Sequence, residues 1–412
     1  MIRSDEKKTK KVLVLSGFRI FPNNTGGHVH TGGIARSLAR LGFQVQVYSL
    51  AGRNADYQIS NVIGRAVHVD QIETNLIEET NLGLAFGLMQ AAGRRLDLPR
   101  FWQYALLRRA WVPRRLKHAL DAADIIVSDM PWCPPVPGPW SAKPWYLISH
   151  NLEHRLLEQA NPRNRRFAAW MLDIERSAPQ QFRDIFPCAE EDRDFFRSHD
   201  RHGQLRLPII RCGVDPLAYH VPQGTRESVR AQLGLTETDC LLVFSASRHA
   251  PNVEALDALR EFCRVEAAFL ARARIYVLVV GSIVATPFRD GSLIATGRVP
   301  EVAPYFAAGD AGLNPVVRGS GANVKLFEYL ATRLPIISTK FGVRGTALLP
   351  GIDFIDYEPP ALKSALERFI DGIGKEEWRA RAEEVWRRHR STCDIGDLVR
   401  SAIAQVSEFA LH

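Results

Sequence analysis

Short apolar runs and amphipathic segments alternate along the chain. The first run, Lys11–Ser16, is almost uninterrupted, which is typical of a parallel strand buried on both faces. A helical pattern over 28–41 and a second strand over 42–48 complete a βαβ unit. Two more strands are predicted at 124–128 and 145–149. The Pro- and Trp-rich segment 131–144 between them predicts a loop.

A second series of the same kind begins at Cys240–Ser245. The predicted elements are a helix over 252–270, strand Ile275–Val280, a short strand near Ala295, a helix over 302–308, strand Ala311–Asn314, a helix over 324–332 and a strand over 335–338. At 412 residues the chain is longer than one hydrophobic core usually supports. The pattern therefore predicts two doubly wound domains, 1–207 and 208–374, with ligands at the carboxyl ends of the strands.

One segment of the second series combines a glycine loop, a helix and a strand. The loop 318–323 reads RGSGAN and leads directly into the helix. Such a junction turns backbone N–H groups and the positive end of the helix dipole toward one point, which suits a diphosphate. Lys325 and Glu328 share one helix face; the lysine suits phosphate and the carboxylate suits ribose hydroxyls. Alternatively, the two residues form an ordinary surface ion pair.

This arrangement resembles the donor-binding motif of GT-B glycosyltransferases, especially the large retaining family 4 type, which includes many bacterial polysaccharide and lipopolysaccharide enzymes. That family often carries two glutamates eight positions apart. Glu328 matches the second, whereas Ser320 stands in place of the first. The resemblance implies an α/β GT-B fold with two Rossmann-like domains facing a cleft. It also implies that the helices of 375–412 cross back to the N-terminal domain.

The resemblance assigns catalytic roles to Lys325, Arg248 and His150. Arg248 lies in a loop similar to the first loop of the donor domain, and His150 opens an HN-x-E segment after a buried strand. The alternatives are a surface arginine and a histidine that satisfies a helix start. Glu153 and His154 are interpreted as helix-face residues. Donor-binding positions implied by the resemblance are Gly26, Gly27, Val299, Gly319, Ser320, Gly321, Ala322, Asn323 and Glu328.

Gly26 and Gly27 match the glycine loop of the first domain, although any βα turn can need glycine for a positive φ. Val299 lies in a segment that resembles the loop whose backbone holds the nucleobase. Residues 211–215 resemble the turn that opens the second domain, with Gly213 supplying the turn.

The implied activity is transfer of a sugar from a nucleotide-diphosphate sugar to a glycan or lipid-linked acceptor, with retention, in polysaccharide biosynthesis. Lys325, Arg248 and loop amides would stabilise the leaving diphosphate, so no metal and no cofactor is required. The alternatives are an inverting GT-B transferase, a nucleotide-sugar epimerase and a non-catalytic glycan-assembly scaffold. A dinucleotide-dependent dehydrogenase is excluded because the first βα turn lacks GxGxxG.

Positive charge is concentrated in one segment. Between positions 94 and 117, eight basic residues face a single acid, Asp97, and alternate with Trp, Tyr and Leu. This composition favours docking on an anionic membrane surface, with a solvated helix as the alternative. No nucleic-acid-binding motif accompanies it, so no nucleic-acid partner is expected.

The remaining composition favours a cytoplasmic protein that is peripheral on the inner face of the membrane. The start of the chain does not resemble a signal peptide, and no apolar run is long enough to span a bilayer. Six scattered cysteines without a CxxC pair indicate reduced, structural thiols and show no metal-ligand spacing.

Overall fold

The computed structural model describes residues 9–17, 20–21, 26–49, 67–68, 76–80, 95, 112, 114–133, 135–159, 165–318, 323–372 and 374–409. They form two compact units. The first comprises 1–212 together with 395–412, and the second comprises 213–394. The division at 212 lies five residues beyond the predicted one. Residues 375–394 belong to the second unit, so only the segment from 395 onward joins the first.

The first unit is built on a seven-stranded sheet with the order β3-β4-β2-β1-β5-β6-β7. Only the β3–β4 pair is antiparallel. The strands are β1 Lys11–Ser16, β2 Gln44–Ser49, β3 Val67–His68, β4 Leu76–Thr80, β5 Ile125–Ser128, β6 Trp145–Ser149 and β7 Asp184–Pro187. The helices are α1 Gly26–Arg40, α2 Arg114–Ala122, α3 Glu153–Gln159, α4 Ala168–Ser177 and α5 Glu190–His199.

The second unit repeats this topology with the order β10-β11-β9-β8-β12-β13-β14, and only the β10–β11 pair is antiparallel. The strands are β8 Cys240–Ser245, β9 Ile275–Val280, β10 Phe288–Asp290, β11 Leu293–Gly297, β12 Ala311–Asn314, β13 Ile336–Thr339 and β14 Ile355–Tyr357. The helices are α6 Thr225–Gln232, α7 Ala250–Val265, α8 Ala267–Arg272, α9 Ala303–Ala308, α10 Val324–Ala331, α11 Leu362–Glu367 and α12 Gly374–Cys393.

The single helix predicted over 252–270 is two helices, α7 and α8. The backbone of Glu266 (φ −97°, ψ 22°) leaves the helical region between them. Short 3-10 helices add Pro139–Ala142 inside the predicted loop of the first unit and Pro216–Tyr219 near the start of the second. Gly213 has no positive φ, so the turn expected there does not rely on a left-handed glycine.

The C-terminal segment completes the core of the first unit. Helix α13, Ile395–Ile403, packs on α1, and the 3-10 turn Ser407–Phe409 follows it. The last part of the predicted helical segment 375–412 is therefore interrupted after Ile403. Gly33 makes the contact possible, because a Cβ at this position would lie 2.8 Å from Cγ2 of Ile395. No helix in the described ranges is both long and apolar enough to cross a membrane.

In both sheets the chain leaves the first strand toward one side and later returns to the other. The strand order therefore reverses between β1 and β5 in the first unit and between β8 and β12 in the second. Open α/β sheets bind ligands beyond the carboxyl ends of the strands at such a switch point. The segments that follow these strands are where functional side chains are expected.

Helix α10 is fixed on the second sheet by Tyr329. This buried side chain lies against Gly312 in β12, where an added Cβ would be 2.4 Å from Cγ of the ring. The Tyr329 hydroxyl lies 2.9 Å from the carbonyl oxygen of Val243 and 3.2 Å from that of Leu313, so its proton can be shared between them. It also accepts from the Ser245 amide at 3.2 Å. The helix that carries Lys325 and Glu328 is thus held at the switch point.

We predict that Gly312→Ala destabilises the second unit. The added methyl group forces the Tyr329 ring away from the sheet, and overpacking of this kind costs about 1–3 kcal/mol. The thermal midpoint should fall by roughly 2–4 °C for each kcal/mol in a unit of this size. The control is Gly27→Ala in α1, where an added Cβ meets nothing within 4 Å. Equal midpoints for the two variants in calorimetry would contradict the packing argument.

Candidate active site

Lys325, in the first turn of α10, is a buried cation with neutral partners. Its side chain is 8% exposed, and Nζ donates to Oδ1 of Asn252 at 3.0 Å. The ammonium also lies 4.9 Å from the centroid of the Phe244 ring. Burial lowers the pKa of Lys325 to about 8; the Glu328 charge opposes this effect and the Arg344 charge adds to it. Lys325 makes no ion pair in the part of the chain that the structure describes.

Glu328 lies one turn further along α10 and is equally buried. Its Oε1 accepts a hydrogen bond of 2.9 Å from the hydroxyl of Tyr219. Burial raises the pKa of Glu328, and the bond from Tyr219 and the Lys325 charge oppose that rise. The alternative of a surface ion pair between Lys325 and Glu328 is therefore wrong, because both side chains are buried and each has another partner.

A second glycine loop, residues 341–345 after β13, holds the start of α10. Asn323, the residue before the helix, donates through Nδ2 to the carbonyl oxygen of Gly342 at 2.7 Å. Gly342 lies so close to the sheet that a Cβ would be 2.4 Å from Oγ of Ser338. Four predicted donor-binding positions, Gly319, Ser320, Gly321 and Ala322, lie outside the described residues. Arg318, just before them, pairs with Glu254 on α7.

The loop between β8 and α7 adjoins the same cluster. Arg248 is exposed on this loop, four residues before the Asn252 that bonds Lys325. The bond from Lys325 to Asn252 thus connects the start of α10 to the start of α7. Val299 is half-buried on the segment after β11, two residues beyond Gly297, which has φ +67°. We call Lys325, Glu328, Asn252, Tyr219 and Arg344 the α10 cluster.

In the first unit, a buried carboxylate lies at the switch point. Asp129 directly follows β5. Its Oδ1 accepts from Nε2 of His150 at 2.8 Å and from the hydroxyl of Thr31. Its Oδ2 accepts from Oγ of Ser16 at 2.6 Å. These partners follow or end β1 and β6 or lie on α1, so the sheet topology brings them together around one carboxylate.

His150 uses both ring nitrogens within this group. Nε2 faces Asp129, and Nδ1 lies 3.1 Å from Nδ1 of His30. Burial disfavours the charged form of His150, but the Asp129 charge and hydrogen bond outweigh burial and raise its pKa. Burial and the charge of His150 lower the pKa of His30 to about 3. The arrangement favours a protonated His150 that donates to Asp129 and to a neutral His30.

Sequence reasoning singled out His150 but missed Asp129, Thr31, His30 and Ser16. The position of Asp129 was a usable signal, because it is the residue immediately after a predicted buried strand next to the switch point. Gly26 and Gly27 are the first two residues of α1, half-buried and exposed respectively. Neither has a positive φ, so these glycines are not explained by backbone conformation.

Glu153 and His154 lie on helix α3, as predicted, and the side chain of His154 faces the interior. His154 is buried, and its Nδ1 lies 2.5 Å from Oε2 of Glu175 on α4. Glu175 also accepts from the backbone amide of Glu153 at 2.6 Å and so satisfies the start of α3. Burial raises the pKa of both glutamates to about 7. These residues tie α3 to α4.

Four members of the α10 cluster, Lys325, Glu328, Asn252 and Arg344, lie in a segment that matches a known family. Residues 240–371 match the family model described as glycosyl transferases group 1, which spans about a third of the chain. This match confirms the predicted class of enzyme. No curated protein sequence matches the chain.

Solved structures resemble the whole chain. Sucrose-phosphate synthase from Thermosynechococcus elongatus has a TM-score of 0.62 at 13% identity, over 96% of this chain and 98% of that one. HepE from Anabaena, in complex with UDP and glucose, has a TM-score of 0.61 at 14% identity, over 97% and 99%. The UDP-forming trehalose-phosphate synthase from Burkholderia vietnamiensis has a TM-score of 0.61 at 15% sequence identity, over 98% of each chain. These likenesses confirm the predicted GT-B fold.

We predict that Asp129→Asn lowers the pKa of His150. The substitution keeps a hydrogen-bond acceptor but removes the negative charge, so burial then dominates. Histidine titration followed by NMR measures the change. Asp124→Asn is the control, because Asp124 lies before β5 and accepts from the backbone amide of Lys11. An unchanged His150 titration in Asp129→Asn would show that Asp129 does not set its charge.

Proposed function

We propose that the protein transfers a sugar from a nucleotide-diphosphate sugar to a glycan or lipid-linked acceptor, with retention of the anomeric configuration, in polysaccharide biosynthesis. The observation that carries this proposal is Lys325, a buried ammonium that donates to the neutral Asn252 and forms no ion pair with its neighbour Glu328, which accepts from Tyr219 instead. Burying an unpaired ion costs several kcal/mol, so buried charges normally have a partner of opposite sign. A bound diphosphate supplies that partner.

The surroundings of Lys325 strengthen this assignment. Arg344, on the second glycine loop, lowers the pKa of Lys325 by repulsion, so two cations act on one region. The N-terminus of α10 adds a positive dipole end. Fixed positive charge that faces a developing phosphate charge is usually the largest catalytic contribution in such reactions. The proposed chemistry therefore needs neither a metal nor a cofactor.

Glu328 fits the ribose of the donor. Its carboxylate is buried one turn below Lys325 and accepts one hydrogen bond, from Tyr219. A carboxylate can accept several bonds, so a vicinal hydroxyl pair can share it or replace Tyr219. The similar HepE structure contains UDP, and the similar trehalose-phosphate synthase is UDP-forming. UDP-sugars are therefore the first donors to test.

The hydrogen bonds of His150 favour retention. A general base needs a ring nitrogen directed at the acceptor hydroxyl, but Asp129 and His30 engage both ring nitrogens of His150. In the retaining mechanism the departing diphosphate takes the proton of the acceptor hydroxyl, so His150 need not act as a base. The glycan or lipid-linked acceptor is inferred from the motif resemblance.

An inverting transferase is the second candidate, and the orientation of the His150 ring by Asp129 is the observation that favours it. A histidine oriented by a buried carboxylate is a common general-base arrangement. NMR of the product formed from an α-linked UDP-sugar separates the two mechanisms. An α-linked product supports retention, and a β-linked product establishes inversion and makes His150 the candidate base.

We also propose that the protein docks on the inner face of an anionic membrane. Most of the basic segment 94–117 lies outside the described residues. In its described part, Arg114 and Lys117 are exposed on α2, while Leu116 and Leu120 are buried in the core of the first unit. The basic side chains therefore face outward, as docking requires.

Arg114→Glu/Lys117→Glu should reduce binding to vesicles that contain anionic lipid, because repulsion replaces attraction at the surface. Co-sedimentation measures the bound fraction, which should fall in the wild type as salt rises. Arg260→Glu/Arg264→Glu, two exposed arginines on α7, is the control for net charge. Equal loss in both variants, or equal wild-type binding to neutral vesicles, would argue against docking through α2.

Lys325→Ala should lower turnover of the preferred UDP-sugar by roughly a hundredfold or more, because a fixed cation at the leaving group is lost. Lys363→Ala on α11, where the lysine pairs with Glu266 at 2.9 Å, should keep full turnover. Wild-type turnover in Lys325→Ala would remove Lys325 from the catalytic site.

The same residue predicts a pH dependence. The pKa of Lys325 is lowered to about 8, so its charge is present below this pH and lost above it. The value of kcat/KM should therefore fall as the pH rises through about 8. Lys325→Arg should lack this alkaline decrease, because a guanidinium stays charged. A decrease at the same pH in both proteins would assign it to another group.

Glu328→Gln should weaken binding of UDP while the fold is retained. A hydrogen bond to a charged group contributes about 1.5–3 kcal/mol, which is roughly a ten- to hundredfold change in Kd. Calorimetry measures the affinity. The control is Glu384→Gln, an exposed carboxylate on α12 that pairs with Arg388 at 3.2 Å. If both variants bind UDP like the wild type, Glu328 does not contact the ribose.

A further inference from the structure

We infer that His30, His150 and Cys188 form a binding site for a soft or borderline divalent cation, with Zn²⁺ as the best match. The two Nδ1 atoms of the histidines are 3.1 Å apart, and Sγ of Cys188 is 3.9 Å from each nitrogen of His30. One ligand atom from each residue lies within 4.8 Å of the others. We call these three residues the histidine–thiol cluster.

These separations suit tetrahedral coordination. With bonds of about 2.0 Å to nitrogen and 2.3 Å to sulfur, two nitrogen ligands lie about 3.3 Å apart and a nitrogen and a sulfur about 3.6 Å apart. The His30–His150 and His30–Cys188 distances differ from these values by a few tenths of an ångström, and Cys188 lies within 4.8 Å of His150, so the Cys188 side chain must turn toward the histidines to bind the ion. Imidazole and thiolate ligands favour zinc over magnesium or calcium, which prefer oxygen ligands.

The neighbouring carboxylate orients one ligand. Asp129 accepts from Nε2 of His150, which leaves Nδ1 directed at His30. Histidines that bind metal usually donate their other ring N–H to a carboxylate or a carbonyl oxygen in this way. Thr31 and Ser16 hold the same carboxylate. The cluster therefore has both ligands and an outer shell that fixes them.

A second thiol lies beside the first. Cys212 and Cys188 are within hydrogen-bonding distance of each other, and both are free thiols. On metal binding, the proton between the two imidazole rings and the proton of the Cys188 thiol pass to solvent. Three protein ligands leave the fourth tetrahedral position for water or a substrate oxygen. Cys212 then supports Cys188 from outside the coordination sphere.

Zinc bound at the histidine–thiol cluster would affect sugar transfer. This step alone rests on the proposed function. Zinc would hold His150 through Nδ1 and place a positive charge at the switch point of the first unit. A His150 that binds metal is not available for the catalytic role that the motif resemblance assigns to it. Zinc should therefore inhibit sugar transfer, and removal of Cys188 should relieve that inhibition.

The test measures metal binding directly on the reduced full-length protein, with no donor present. Titration with Co²⁺ should give one equivalent bound, with tetrahedral d–d bands and a thiolate-to-cobalt absorption in the near ultraviolet. Cys188→Ser should abolish the thiolate absorption. The same variant should also lower the affinity for Zn²⁺, measured by chelator competition, by at least about a hundredfold. This is the upper end of the effect of losing an outer-shell partner.

Cys133→Ser is the matched control, because Cys133 is a buried cysteine of the same unit and its replacement should leave cobalt binding unchanged. Folding of each variant is checked by circular dichroism. If Cys188→Ser does not fold, His30→Asn replaces it and should lose tight binding. Absence of a thiolate absorption in the wild type, or its persistence in Cys188→Ser, would overturn the site. Unchanged zinc affinity in His30→Asn would do the same.

The activity measurement separates this proposal from the proposed function. Cobalt binding with no zinc effect on sugar transfer would leave the metal site in place and overturn the inhibition. Inhibition that is equal in the wild type and Cys188→Ser would place the inhibitory zinc elsewhere.

Discussion

The second unit depends on one hydroxyl group. Tyr329 reaches through the space that Gly312 leaves open and bonds backbone groups of β8 and β12. This contact fixes α10 at the point where the strand order reverses. Glu328 is adjacent to Tyr329, and Lys325 lies one turn before it on the same short helix. The contacts of Tyr329 therefore fix the positions of both residues. The catalytic assignment therefore rests on a packing constraint that binds no substrate.

Two buried charged side chains of the second unit, Asp310 and Lys325, have different kinds of partner. Asp310 is buried and accepts from Arg226 at 2.9 Å and Arg379 at 2.8 Å. Its other oxygen accepts from the Leu241 amide at 2.8 Å. Lys325 is buried to a similar extent but has an amide oxygen and an aromatic ring as partners. This contrast between Asp310 and Lys325 is what supports the proposal that Lys325 binds an external anion.

The sequence predicted what is local. Uninterrupted apolar runs gave β1, β6, β8, β9 and β12 with the bounds that the structure shows, because strands buried on both faces have little polar interruption. The α10 motif was found because loop, helix and strand are contiguous. Five strands were missed because their few residues carry no clear pattern: β3, β4, β7, β10 and β14. The break at Glu266 was missed for the same reason.

The site of the first unit could not be found in this way, because its members come from five separate segments. Ser16, Thr31, Asp129, His150 and Cys188 are far apart in sequence and converge only because parallel strands end at one edge of the sheet. No spacing rule relates them, so the absence of a metal-binding motif in the sequence was uninformative. The topology provides the missing relation. Because β1, β5, β6 and β7 are neighbours, the residues that follow these strands lie close together. Among them, the Asp129 carboxylate favours the proton on His150 and not on His30.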